Sequence, residues 1–153
     1  MKWEKIMFIG QSIQALDSKG RLSIPSKFRE ILNTKYSGKL ILTYLDPYIV
    51  AYPTEEWVGI EGRLKQLPTI QKDIRDFLRI IYSNASECSL DNQGRILIPP
   101  TLRDFAGLQK DIAMLGIMNK IEIWSKDKWN EFKDNVKDKA KTLPEKLMEI
   151  GFL

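Results

Sequence analysis

The chain has 153 residues, 43% of them apolar and 29% charged, with 24 Lys and Arg against 20 Asp and Glu for a net charge of +4. That is the balance of one globular domain or two very small ones, and it excludes a disordered chain. The absence of histidine excludes an imidazole base, a His-containing triad and a His-ligated metal, while the single Cys88 excludes an internal disulfide and a cysteine cluster for zinc or iron–sulfur.

In chain order, the N-terminal apolar run Ile6–Ile9 is too short for a signal peptide core, and the longest near-apolar stretch, Ile112–Met118, is too short to cross a membrane. A cytoplasmic location with no membrane contact is expected, and a lone thiol suits a reducing compartment. A short strand over Ile13–Leu16 runs into Asp17-Ser18-Lys19-Gly20, where a glycine at the fourth turn position invites a positive φ. Alternation then predicts a strand over Leu22–Pro25, and the proline predicts a helix start, over Ser26–Leu32. Strands follow at Lys39–Thr43 and Ile49–Tyr52. Thr54 is the expected cap of a helix with Glu55 and Glu56 in its first turn and Trp57, Ile60, Leu64 and Leu67 on one face. Pro68 ends it, and Ile70, Ile74, Phe77, Leu78 and Ile81 predict a second amphipathic helix.

The same grammar then returns: a strand at Glu87–Leu90, the turn Asp91-Asn92-Gln93-Gly94, a strand at Ile96–Pro99, a helix at Pro100–Leu108 with Gly107 near its end, and strands at Ile112–Leu115 and Ile121–Trp124. Ser125 caps a last helix through Trp129, Phe132 and Val136, whose Lys- and Asp-rich face is expected to be solvated. Aligning L-D-S-K-G-R-L-S-I-P at 16–25 with L-D-N-Q-G-R-I-L-I-P at 90–99 takes an offset of 74, and Ile49–Tyr52 with Ile121–Trp124, and Trp57 with Trp129, an offset of 72. The expected organisation is therefore a first unit at 7–54, a helical connector at 55–82, a second unit at 83–126 and a helical tail at 127–153. Units of about 45 residues bury little core alone. They should interlock into one barrel or pair with another subunit, which would also cover their strand edges.

The doubled D-x-x-G-R-[LI]-x-I-P is open to two readings. In one, Asp17 and Asp91 cap their turns, Gly20 and Gly94 take the left-handed position, and Arg21 and Arg95 brace the aspartates. In the other, the arginines meet phosphates or guanine edges. Six cations, Lys19, Arg21, Lys27, Arg29, Lys35 and Lys39, against Asp17 and Glu30 give residues 17–39 the whole net charge of the chain, which reads as a basic patch around the first hairpin and favours the second reading. The second copy has Gln93 where the first has Lys19, and amides also bond bases and phosphates. Trp57 and Trp129 are expected to pack rather than stack on bases. Cys88, alternating within a strand, is expected to be buried and inert. The flanking arginines make Asp17 and Asp91 poor proton-transfer groups near pH 7.

On the Asp17–Arg21 and Asp91–Arg95 turns, the Ile121-Glu122-Ile123-Trp124 segment and the paired Trp57 and Trp129, the chain resembles the MraZ family from about residue 7 to about 135. The resemblance implies a mainly β fold with helices, in which two SpoVT-AbrB-type swapped-hairpin units form an interleaved β-barrel decorated by amphipathic helices. It implies a ring-shaped homo-oligomer larger than a dimer, with no cofactor, no metal and no enzymatic activity. It further implies a nucleoid-associated regulator that binds double-stranded DNA at short G-containing direct repeats upstream of the division and cell-wall genes. Carried over residue by residue, Lys19 and Arg21 face DNA in the first unit and Arg95 and Gln93 in the second, while Asp17, Gly20, Asp91 and Gly94 hold the turns. The rival readings are another AbrB-type DNA-binding regulator or antitoxin, and a ring or scaffold that binds no DNA.

Overall fold

The computed structural model describes residues 2–152. Its strands are β1 (Phe8–Ala15), β2 (Arg21–Ser23), β3 (Lys39–Leu45), β4 (Tyr48–Pro53), β5 (Ser86–Ser89), β6 (Arg95–Leu97), β7 (Asp111–Met118) and β8 (Lys120–Ser125). Its helices are α1 (Ser26–Thr34), α2 (Thr54–Leu64), α3 (Lys72–Asn84), α4 (Pro100–Ala106), α5 (Lys126–Val136) and α6 (Leu143–Glu149). The strands form an antiparallel six-stranded sheet of order β1-β7-β8-β4-β3-β5 and a separate ribbon of β2 and β6.

That order reads the same from either end once the units are exchanged. The first strand of each unit pairs with the hairpin of the other half: β1 lies along β7, with Ala15 opposite Asp111. Likewise β5, the first strand of the second unit, lies along β3 of the first, with Lys39 opposite Ser89. The units also meet at two central pairs. Leu22 faces Ile96 in the ribbon and Val50 faces Glu122 between β4 and β8, and each pair consists of equivalent positions in the repeat. A pseudo-dyad therefore passes through both. The units interlock within one chain, but the hydrogen-bonded ladder does not close: β1 and β5 remain edges, and the ribbon stands apart from the main sheet.

Leu22, Ile24 and Phe28 of one unit and Ile96, Ile98 and Leu102 of the other are buried in one shared core. Burying each such side chain contributes about 1.5–3 kcal/mol, and neither unit could collect that contact alone. Val50, Tyr52, Trp57 and Ile81 form a satellite under α2 and α3, while Ala113, Leu115 and Trp124 form another beneath Trp129. Both expected tryptophan packings are therefore present, with Trp57 buried and Trp129 half-buried.

Several boundaries differ from expectation for tertiary reasons. β1 begins five residues before Ile13, because β7 offers it an eight-residue ladder. Thr54 is the first helical residue, with Pro53 as the cap and no side-chain bond, whereas Ser125 caps α5 through its Oγ, which accepts from the Lys128 N–H at 3.2 Å. α2 stops at Leu64 and α3 starts at Lys72, which leaves Leu67 and Ile70 outside helices. Among the described residues no helix is long and apolar enough to cross a membrane.

Candidate nucleic-acid interface

Each D-x-x-G-R segment is a turn closed by its aspartate. Asp17 Oδ1 accepts the backbone N–H groups of Lys19 and Arg21, each at 2.9 Å, and Asp17 Oδ2 accepts Arg21 Nε at 2.6 Å. The second copy repeats this: Asp91 Oδ1 accepts from the Gln93 and Arg95 N–H groups at 2.8 and 2.9 Å, and Oδ2 from Arg95 Nε at 2.9 Å. The Arg21 N–H foremost, with the Arg21 side chain and the Lys19 N–H, holds the Asp17 carboxyl down at about 2. Asp91 is lowered likewise, chiefly by the Arg95 N–H. Both carboxylates are ionised at neutral pH and each accepts three hydrogen bonds within its own turn, which suits a brace and not a proton shuttle.

The brace uses only Nε of each arginine. Among the described residues neither Arg21 nor Arg95 makes another side-chain hydrogen bond or ion pair, so the two terminal nitrogens of each guanidinium are free to donate. Bracing and recognition are therefore compatible in one side chain. Since Leu22 and Ile96 point into the core, strand alternation puts Arg21, Ser23, Arg95 and Leu97 on the opposite face of the ribbon. Leu97 is 56% exposed there, a site residue that the motif alone did not flag. Lys19 and Gln93 are exposed at the turns.

The turn glycines have a second role. Gly20 has φ +84°, and a methyl group on it would lie 2.9 Å from Arg103 Cζ and 3.0 Å from the Ile98 carbonyl oxygen. Gly94 has φ +74°, and a methyl group there would run into Arg29. Each hairpin is thus roofed by the arginine of the opposite unit's helix, Arg103 from α4 over the first and Arg29 from α1 over the second. Both Nε atoms are buried without an acceptor among the described residues. A buried donor left so costs about 1–3 kcal/mol, and these two cations add fixed, unneutralised charge beside the turns. The repeat alignment paired Phe28-Arg29-Glu30 with Leu102-Arg103-Asp104, which was the available signal. It did not reveal that the pair is exchanged.

This geometry corrects the expected basic patch around the first hairpin. Arg29 belongs to the second hairpin. Lys35 Nζ donates to the Ile6 carbonyl at 3.0 Å, Lys39 lies 3.9 Å from Glu87, and Lys27 sits over the Phe28 ring near Gly10. What surrounds the first hairpin is Lys19 and Arg21 with Arg103, Gln109 and Lys110 of the second unit, along a groove that Asp17 and Ser18 also line. Cys88 faces the core from β5, and burial, with Glu87 beside it, pushes its thiol up to about 12. Among the described residues no three acidic or cysteine side chains converge on a metal position.

The likeness to known proteins follows the same two-fold plan. The model of the MraZ protein family, described as antitoxin-like, matches twice, over 7–80 and 81–149. A "Transcriptional regulator MraZ" of Syntrophobacter fumaroxidans is 47% identical over 126 residues, covering 82% of this chain and 84% of its own. Proteins of that name from Acetivibrio thermocellus and Clostridium beijerinckii are 41% and 43% identical over 145 residues, each pairing covering 95% of this chain and 99% of the relative. With a matched unit around each braced turn and relatives aligned across both, the chain belongs to the MraZ family.

Proposed function

We propose that this chain is a sequence-specific regulator of transcription that grips double-stranded DNA with the outer face of the β2–β6 ribbon and its two flanking turns. The observation that carries the reading is the state of Arg21 and Arg95: each is aimed by an Asp–Nε bond and keeps its terminal nitrogens free. Such a fork matches guanine O6 and N7, and the major groove admits a two-stranded antiparallel ribbon. Lys19 and Gln93 supply phosphate or base contacts beside them, and the relatives' shared name of transcriptional regulator agrees. In this reading 7–54 and 83–126 remain the two DNA-facing units, the protein is cytoplasmic and nucleoid-associated, and it is a binding protein rather than an enzyme. It works as a ring-shaped homo-oligomer on direct repeats upstream of the division and cell-wall genes, so several ribbons engage successive repeats and avidity multiplies modest single contacts.

The family's antitoxin-like description favours, as a second reading, an antitoxin that binds DNA through the same face. Fluorescence anisotropy on a duplex from upstream of the chain's own gene, with scrambled DNA as competitor and a salt series, tests the main reading. Saturable binding that withstands the competitor and weakens with salt is expected. A protein that binds neither duplex at low salt would be a scaffold, and the reading would fall.

A further inference from the structure

The helix α3 has Ile74, Phe77, Leu78 and Ile81 at helical spacing, yet only Ile81 among them is buried, at 5% exposure. It meets the sheet through that end, where Thr43 Oγ1 donates to the Ile81 carbonyl at 2.6 Å. Beyond it Phe77 and Ile80, 38% and 39% exposed, line an open groove with Tyr44 and Leu45. Asp46, Asp73 and Asp76 rim it. Lys72 and Arg79 hold Asp76, whereas neither Asp46 nor Asp73 is in an ion pair among the described residues.

The chain carries a segment of complementary chemistry. α2 and α5 have eleven residues each and begin 72 positions apart, so α6, beginning at Leu143, stands in the repeat where α3 begins at Lys72. α3 finds a surface on its own unit; α6 packs on little besides the short turn before it. Leu143, Met148, Ile150 and Phe152 are 50%, 64%, 77% and 73% exposed. The stretch leading into α6 carries Lys137, Lys139 and Lys141 against Asp138, and α6 itself carries Lys146 with Glu145 and Glu149.

We propose that the groove beside α3 receives the α6 segment of a second copy of this chain, with its apolar residues in the groove and the lysines of the stretch that leads into it, Lys137, Lys139 and Lys141, at the Asp46 and Asp73 rim. An amphipathic helix laid in an apolar groove is a common recognition mode, and opposite charges at the rim set its register. The groove belongs to the first unit, on β3, and the tail leaves the second unit, where α5 packs on β7 and β8. The contact joins two different surfaces, so it is head-to-tail. Each copy offers one groove and one tail, and a ring forms when the rotation closes. The inference rests on the ring reading above and names its contact.

The test uses two full-length variants altered only at exposed positions. Ile80→Lys disables the groove. Met148→Glu with Ile150→Glu and Phe152→Glu disables the tail and sets like charge against the rim. Light scattering is expected to find the wild type larger than a dimer and each variant a single chain, with thermal melts unchanged. Mixed together, the variants retain one intact tail and one intact groove between them, so they should form a one-to-one pair and no larger species. Variants that assemble like the wild type would overturn this contact while leaving the ring reading standing. A mixture that stays single-chain would mean that the altered groove and the altered tail are not each other's partners, and the proposal would fall. A single-chain wild type would overturn the ring reading itself.

Discussion

At the first hairpin, Lys19 stands at the turn, Arg103 roofs Gly20, and Lys110 of the second unit lines the adjoining groove. At the second, Gln93 stands at the turn and Arg29 roofs Gly94. The place equivalent to Lys110 belongs to Gly38, which precedes the Lys39–Ser89 pair as Lys110 precedes the Asp111–Ala15 pair. The backbone bonds of the two turns match to within a few tenths of an ångström. The difference therefore lies in charge and not in shape: one scaffold presents its arginine twice, but only the first presentation has free lysines beside it. A phosphate backbone reads that contrast as affinity, because each cation that neutralises a phosphate releases a counterion.

Removing the arginines tests the contrast most strongly. Arg21→Ala should cost about 1–3 kcal/mol at each engaged hairpin, summed over the subunits that bind, and should abolish specific binding. Arg95→Ala should weaken binding and leave it measurable. The melting temperature should barely move in either, because the aspartates keep their backbone donors and a part-exposed ion pair contributes only about 0–1 kcal/mol. Anisotropy beside a thermal melt checks both. Equal losses would mean that the hairpins dock alike.

The exchanged arginines give the next effect. Arg103→Ala and Arg21→Ala should be non-additive in DNA binding by about 0.5–3 kcal/mol, as expected of groups that share one site, while Arg103→Ala and Arg95→Ala should add. Arg29 should mirror this, coupled to Arg95 and independent of Arg21. The reverse pattern in the double-mutant cycles would place each arginine's influence within its own unit.

A smaller change comes from a single charge. Lys19→Gln makes the first turn like the second and should flatten the slope of log K against log salt by about one unit for each subunit engaged. Gln93→Lys should steepen it by a similar amount. Slopes unchanged in both variants would remove the lysine from the phosphate contacts.

The smallest effect is on protonation. The folded carboxyl of Asp17, at about 2, lies below its ordinary value of 3.8, so its contribution to folding is complete above that ordinary value and is lost as the pH falls through about 2. Carboxyl NMR should show Asp17 titrating near pH 2 while an unbraced aspartate keeps the ordinary midpoint of 3.8. An Asp17 midpoint at that usual value would mean the turn is open in solution.

Much of this was legible in the amino-acid order, because it is local. The turn chemistry of Asp17–Arg21 and Asp91–Arg95 needs only neighbours four residues away, and the prolines after Ile24 and Ile98 announce their helices by removing an N–H. The two-fold plan is an identity of strings, and the candidate arginines sit inside it. Even the asymmetry of Lys19 and Gln93 is a property of the sequence alone.

What tertiary structure decided is which unit supplies each neighbour. Cations between residues 17 and 39 were adjacent along the chain and read as one patch, yet the fold sends Lys35 to Ile6, Lys39 to Glu87 and Arg29 to the other unit's turn. β1 gained its extra residues from β7, about a hundred positions away, and the ladder that joins the units runs from β1 to β5 without closing. The physical reason is common to these cases. Turn geometry and capping are settled by bonds within a few residues, whereas strand pairing and charge placement depend on contacts that exist only after the two units have interleaved and buried Leu22 against Ile96 on the pseudo-dyad.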